Sequence, residues 1–277
     1  MARLLVDYYS DIMRRCCQLE VIIPQVPGKK SGGKHPVLYL LHGTFGDQTI
    51  WGRRTSLERY VNDYDIAVIT PAGQLSAYAN MARGERYLDH IAVEIPAVAK
   101  DMFPICGDRE NTYIAGLSMG GYGAMKIGLL YPDNYAGIGA LSCGNQPYFA
   151  QREGPDGEII ANRARLAFGK EKLSGAIGDP KHDLFVIAGD NLNKGKKLPS
   201  VYMACGTEDR NMTNAVTVRD YFLSLEGNPY NFEFHTGPGA HDWEFWDIWI
   251  KHYLDTLDLE KTRPIGRWEA DLKPERS

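Results

Sequence analysis

No apolar run in this 277-residue chain approaches the length of a membrane span. Its start, MARLLVDYYSDIMRR, lacks a basic region followed by a long apolar core, so it does not read as a signal peptide. Cysteine is sparse: Cys16, Cys17, Cys106, Cys143 and Cys205 make an odd set of five, with no Cys-x-x-Cys pair and no His/Cys cluster. That argues against a disulfide framework or a structural zinc and for reduced thiols in a cytoplasmic protein. Excess charge of either sign is also absent. A net charge of −4 and a pI near 6.0 point away from nucleic acid and from an anionic membrane surface. Lys194, Lys196 and Lys197 read as a solvated loop rather than a basic groove. The run Gly116-Leu-Ser-Met-Gly-Gly lacks the G-x-G-x-x-G spacing of a dinucleotide site.

What the chain does have is material for a core, at 44% hydrophobic residues. Cys16 to Ile23 reads as an early strand, and Val37 to Leu41 as a central strand buried on both faces. Ile66 to Thr70, Thr112 to Ala115, Gly137 to Cys143, Val201 to Cys205 and Asn231 to His235 follow as further strands. Helical spacing of Ile91, Ile95, Val98 and Met102 predicts a helix over about 86–102, with Pro96 placed to kink it, and an aromatic-rich helix closes the series at Trp243 to Leu257. Strands alternating with helices predict an α/β fold, a mostly parallel sheet with helices on both faces. With no internal repeat and no linker, residues 1–277 are expected to form one domain. The polar, glycine-rich stretch 145–199 is expected to be an insertion that caps the serine's edge of the sheet.

The sharpest motif is Asn111 to Gly123, NTYIAGLSMGGYG. It reads as a buried strand, a tight turn carrying Ser118 between Gly116 and Gly120, and an apolar helix ending near Tyr131-Pro132. This is the strand-to-helix elbow that exposes a nucleophilic serine above a sheet. The flanking glycines answer a close approach of strand and helix backbones.

A serine needs a base, and on such a fold the partners follow in the order serine, acid, histidine. His35, His42, His90 and His182 come too early. His235 sits in a strand and His252 inside the last helix. His241, in the loop leaving the last strand, is left as the base. The acid is expected after Val201 to Cys205, with Asp209 preferred to its neighbour Glu208 and Asp190 as runner-up. Two backbone amides should hold the developing oxyanion: Met119, directly after the serine, and Thr44 in the loop Leu41 to Gly46, with Phe45 as fallback. Phe45, Trp51, Tyr78, Trp243 and Trp246 are candidate pocket walls, and Asp242 a helix cap.

With these residues in place, the chain resembles the tributyrin esterase and acetyl esterase group of the esterase family of α/β hydrolases, with S-formylglutathione hydrolases, feruloyl esterases and mycolyltransferase antigens as more distant members. The resemblance runs from LLVDYYSDIM and LEVIIP through LYLLHGTFGDQTIW, GLSMGGYGAMKIGLLYPDNYAG and CGTED to GPGAHDWEFWD. It implies an α/β-hydrolase fold, Ser118 as nucleophile, Asp209 as acid, His241 as base, and Thr44 and Met119 as oxyanion donors. The expected activity is cofactor-independent and metal-free hydrolysis of short-chain acyl esters, including acetyl groups on sugars or small alcohols. The expected partner is a small-molecule ester, not nucleic acid or membrane, and a homo-oligomer is left open. Thioester or feruloyl ester hydrolysis on the same residues is the alternative. The His-Gly-Thr-Phe loop, where S-formylglutathione hydrolases carry Ser-Gly and a nearby Thr-Cys, weighs against the glutathione thioester. A catalytically silent binding protein is the reading from outside enzymology.

Overall fold

The structure is a computed structural model in which residues 1–25, 33–145, 158, 162, 165–169 and 180–261 are described. Its strands are β1 (Ala2–Ser10), β2 (Arg15–Ile23), β3 (Val37–Leu41), β4 (Ala67–Pro71), β5 (Thr112–Leu117), β6 (Gly137–Leu141), β7 (Ser200–Gly206) and β8 (Glu233–Gly237). They form one eight-stranded sheet in the order β1-β2-β4-β3-β5-β6-β7-β8. From β4 to β8 every pair is parallel, while β1 and β2 join antiparallel at one edge.

The helices are α1 (Ile50–Arg54), α2 (Leu57–Val61), α3 (Tyr87–Asp89), α4 (Ile95–Met102), α5 (Met119–Leu130), α6 (Leu184–Asn193), α7 (Met212–Ser224) and α8 (Trp243–Thr256). Strands β3 to β6 are buried along their whole length, as expected for a parallel sheet covered on both faces. The pleat sorts their side chains. Val37, Tyr39 and Leu41 of β3 enter a core shared with α4, α5, α6 and α7. Leu38 and Leu40 enter a second core built with α1, α2 and α8. The fold is thus the α/β arrangement read from the sequence.

The expected helix over 86–102 is present but interrupted. Between α3 and α4 lies a π turn, His90–Glu94, in which Ile95 N–H bonds His90 O. Pro96 has no N–H to give the carbonyl of Ala92, and the wider turn lies directly before it. Five elements go beyond the sequence reading: β1, exposed over most of its length, and the helices α1, α2, α6 and α7. Strand β8 runs two residues later than expected. Of the stretch 145–199, residues 146–157, 159–161, 163–164 and 170–179 lie outside the described residues, and with them about half of the expected cap. The described part of it joins the helical layer. Asn191 of α6 donates to Leu129 O at 2.7 Å, and Phe185 stacks on Tyr221 of α7 at 4.2 Å. Among the described residues no helix is long and apolar enough to cross a membrane.

Candidate active site

Strand β5 ends at Leu117 and α5 begins at Met119, which leaves Ser118 alone in the turn with φ 52° and ψ −117°. This backbone costs about 1–3 kcal/mol for a residue with a Cβ. It is held by Ser118 N–H donating to Leu141 O (2.8 Å) and by Tyr122 N–H donating to Ser118 O (3.0 Å). A Cβ on Gly116 would lie 2.4 Å from Gly120 O, and one on Gly120 the same distance from Leu41 O, so neither position admits a side chain. The turn lifts the serine hydroxyl to the C-terminal edge of the sheet.

Two loops from neighbouring strands meet it there. His241 Nε2 lies 2.9 Å from Ser118 Oγ, and Nδ1 lies 3.0 Å from both oxygens of Asp209. The carboxylate can only accept, so Nδ1 carries the proton and Nε2 offers its lone pair to the serine O–H. The Asp209 side chain is wholly buried and that of His241 8% exposed. Burial alone would push the Asp209 carboxyl up. Hydrogen bonds from His241, the Asn211 amide and the Ser142 hydroxyl, together with the attraction of the His241 imidazole, outweigh it, and the group is held below its ordinary value.

Glu208, the neighbouring candidate, has another task. Its carboxylate accepts Gly239 N–H at 2.6 Å, and its own N–H donates to Gly239 O at 3.1 Å. It clasps the histidine loop onto the acid loop. The two loops lie so close that a Cβ on Gly206 would sit 2.1 Å from Gly239 O. The runner-up Asp190 is on the exposed side of α6, paired with Lys194, and takes no part in the site.

The loop after β3 lies against the elbow: a Cβ at Gly43 would be 3.6 Å from that of Ser118. Gly46 N–H closes a turn onto Gly43 O at 3.1 Å, with Phe45 in the left-handed region at φ 67°. No acceptor among the described residues takes the N–H of Thr44 or of Met119, and Met119 is also the first residue of α5, where the helix end favours an anion. His42 braces this loop from below. Its Nδ1–H donates to Gly43 O at 2.8 Å, and its Nε2 accepts Gly73 N–H, also at 2.8 Å. The acceptance at Nε2 requires the neutral ring, and burial lowers the pKa in the same direction.

Three of the expected pocket walls, Trp51, Tyr78 and Trp246, are core residues instead. Trp51 and Tyr78 are both 0% exposed. The Trp51 indole donates to Leu41 O at 3.1 Å and the Tyr78 hydroxyl to His42 O at 2.8 Å. Large aromatics with one polar atom settled beneath the loop, where that atom finds a carbonyl. Phe45 is exposed beside Thr44. Trp243 is half-buried, edge-on to Trp51 and Trp246 at 5.5 and 5.1 Å. Asp242 caps α8 by accepting Phe245 N–H at 3.0 Å. The sequence reading passed over Ser142, Asn211 and His42. The first two directly follow or flank the C-terminal ends of β6 and β7, where functional residues of parallel sheets gather, and that position was the available signal. Among the described residues no group of three or more His, Cys, Asp or Glu is placed to hold a metal ion.

The model of the Esterase family, described as "Putative esterase", matches residues 10–252. The chain belongs to this esterase family. An acetyl esterase from Caldicellulosiruptor saccharolyticus is 31% identical over 93% of this esterase and 98% of the relative. Among solved structures, the fluorophosphonate-binding serine hydrolase FphF of Staphylococcus aureus, with substrate bound, is 29% identical with a TM-score of 0.81 over 92% of this chain and 97% of that one. The S-formylglutathione hydrolase FrmB of the same organism is 30% identical with a TM-score of 0.76 over the same shares, 92% and 97%. The esterase is therefore a carboxylic ester hydrolase of the serine type on an α/β-hydrolase fold.

Proposed function

We propose that this esterase hydrolyses short-chain acyl esters, acetyl esters foremost, through Ser118, His241 and Asp209. The observation that carries the reading is the unbroken hydrogen-bonded line from Ser118 Oγ through both nitrogens of His241 to a buried carboxylate. In this mechanism Nε2 takes the serine proton as Oγ attacks the ester carbonyl. The N–H groups of Thr44 and Met119 receive the oxyanion, each worth about 3–4 kcal/mol in the transition state. Collapse of the intermediate expels the alcohol, which takes the proton from the imidazolium and leaves an acyl-serine. Water, deprotonated by the same Nε2, then releases the acid. Asp209 holds the tautomer and balances the imidazolium without taking the proton. The resemblance to an acetyl esterase supports a small acyl group.

Thioester cleavage on the same residues is the second reading, favoured by the likeness to FrmB. A p-nitrophenyl ester series from acetyl to octanoyl, run beside S-formylglutathione, separates them. The first reading expects a maximum between acetyl and butyryl that disappears in Ser118→Ala. Turnover confined to the thioester would replace it with the second, and full activity in Ser118→Ala would end both.

A further inference from the structure

Directly after β6 stands a serine that the proposed chemistry does not use. Ser142 is 0% exposed and has φ 54°, a backbone that glycine adopts freely and that costs a serine about 1–2 kcal/mol. Its backbone is otherwise well placed. Its N–H donates to Ala204 O at 2.8 Å, and its carbonyl accepts from Asn211 Nδ2, also at 2.8 Å. A glycine would keep both bonds and relieve the strain, so the hydroxyl is what the position gains. That hydroxyl accepts the Trp246 indole N–H at 2.9 Å. An indole can only donate, so the single hydroxyl hydrogen is left for another acceptor. The neighbouring acceptor is the Asp209 carboxylate: Asn211 joins the two, its Nδ2 on Ser142 O and its N–H on Asp209 Oδ1, and the Ser142 hydroxyl helps hold that carboxyl below its ordinary value. The Trp246 ring also stands edge-on to the His241 ring, with centroids 4.9 Å apart and planes at 88°.

We propose that Ser142 and Trp246 are positioning residues for ester hydrolysis: the indole N–H orients the Ser142 hydroxyl, which fixes the Asp209 carboxylate against His241, while the same indole walls the imidazole. The inference rests on the reading of Ser118, His241 and Asp209 given above. Trp246, considered as a pocket wall from the sequence, would thus act on the machinery instead of the substrate. Asn211 N–H, at 2.7 Å from Asp209 Oδ1, supplies the second fixed donor.

The test is a double-mutant cycle on p-nitrophenyl acetate with Ser142→Gly, Asp209→Asn and the pair together. Glycine suits the backbone at this position, so Ser142→Gly should melt cooperatively, within a few degrees of wild type. Its kcat should fall about 10- to 50-fold with KM changed less than about twofold, because only the orientation of the acid is lost. In the Asp209→Asn background the same substitution should cost less than about twofold. Trp246→Phe, which keeps a ring beside His241 and drops the N–H, should lower kcat by about three- to tenfold and lose that effect in Asp209→Asn. It also keeps the proposal testable if Ser142→Gly fails to fold. An undiminished kcat in Ser142→Gly beside a crippled Asp209→Asn overturns the positioning role and leaves the triad standing. Equal losses in both backgrounds also overturn it, by showing a general structural effect. Wild-type activity in Asp209→Asn would instead remove the triad reading, and the inference with it.

Discussion

Among the described residues the molecule holds two clusters of serine, histidine and carboxylate, and one of them is arranged for chemistry. In the second, Ser10 Oγ donates directly to Glu94 at 2.5 Å, while His90 Nδ1 lies 2.7 Å from the same carboxylate oxygen and 3.2 Å from Ser10 Oγ. Both partners therefore crowd one ring nitrogen, and the other, Nε2, faces Tyr8 at 3.1 Å. In the first cluster the two ring nitrogens are divided between serine and acid. A histidine whose Nδ1–H is given to the carboxylate has no lone pair there for the serine proton, so Ser10 stays a hydroxyl. Ser10 is also 0% exposed, with no strained turn lifting it to the sheet edge. Its cluster instead ties the β1–β2 turn, whose Asp11 and Ile12 amides donate to Glu94, to the π turn before Pro96. Residue types do not make a triad; the assignment of each nitrogen does.

The largest contrast expected is kinetic. Ser118→Ala should lower kcat by about four to six orders of magnitude, whereas Ser10→Ala should leave kcat within about twofold. Loss of most activity in the Ser10 variant would break the distinction. Acid unfolding tests the second cluster's own role. Burial pushes the Glu94 carboxyl up, but hydrogen bonds from Ser10, His90 and the two turn amides outweigh it and hold the pKa below its ordinary value. A carboxyl depressed in the folded state contributes stability that is complete above its unfolded value, near about 4.3, and is lost as pH falls through the folded one. Glu94→Gln should thus be less stable than wild type at pH 7, and the gap should close in urea melts toward pH 3. A gap independent of pH would show that charge is irrelevant there. The smallest effect expected is that of Ser10→Ala on stability, about 1–2 kcal/mol for a lost buried hydrogen bond to a charged group, or a Tm lower by a few degrees in a thermal scan.

How much of this could be read beforehand varied with the range of the interaction. The elbow was legible because Gly116, Ser118 and Gly120 lie within five residues and each answers a local steric demand. Asp209 and His241 were reachable because each follows a recognisable strand in a fixed order. Strand β1 was not, since its mostly exposed residues carry no apolar run longer than Leu4-Leu5-Val6. The cluster joins Ser10 to His90 and Glu94, 80 and 84 positions on, and Ser142 meets Trp246, 104 positions on. No local pattern announces such meetings. Trp51 and Tyr78 were misplaced for a related reason. Whether an aromatic faces a cavity or a core depends on which carbonyl its polar atom finds, and that is settled by the assembled sheet.

Among the described residues nine non-glycine residues have positive φ, and six of them, Phe45, Gln74, Ala77, Tyr78, Ser118 and Ser142, lie in the elbow or in the loops that shape and brace it. At about 1 kcal/mol each, their sum approaches about 6 kcal/mol, of the same order as the whole net stability of an ordinary domain. A selection for heat tolerance would therefore find gains beside the catalytic serine, as glycine replacements at its exposed strained positions, Phe45 and Gln74, where neither a buried ring nor the nucleophile is lost. Such variants would survive higher temperatures while turning over more slowly. For this esterase, endurance and speed draw on the same few residues.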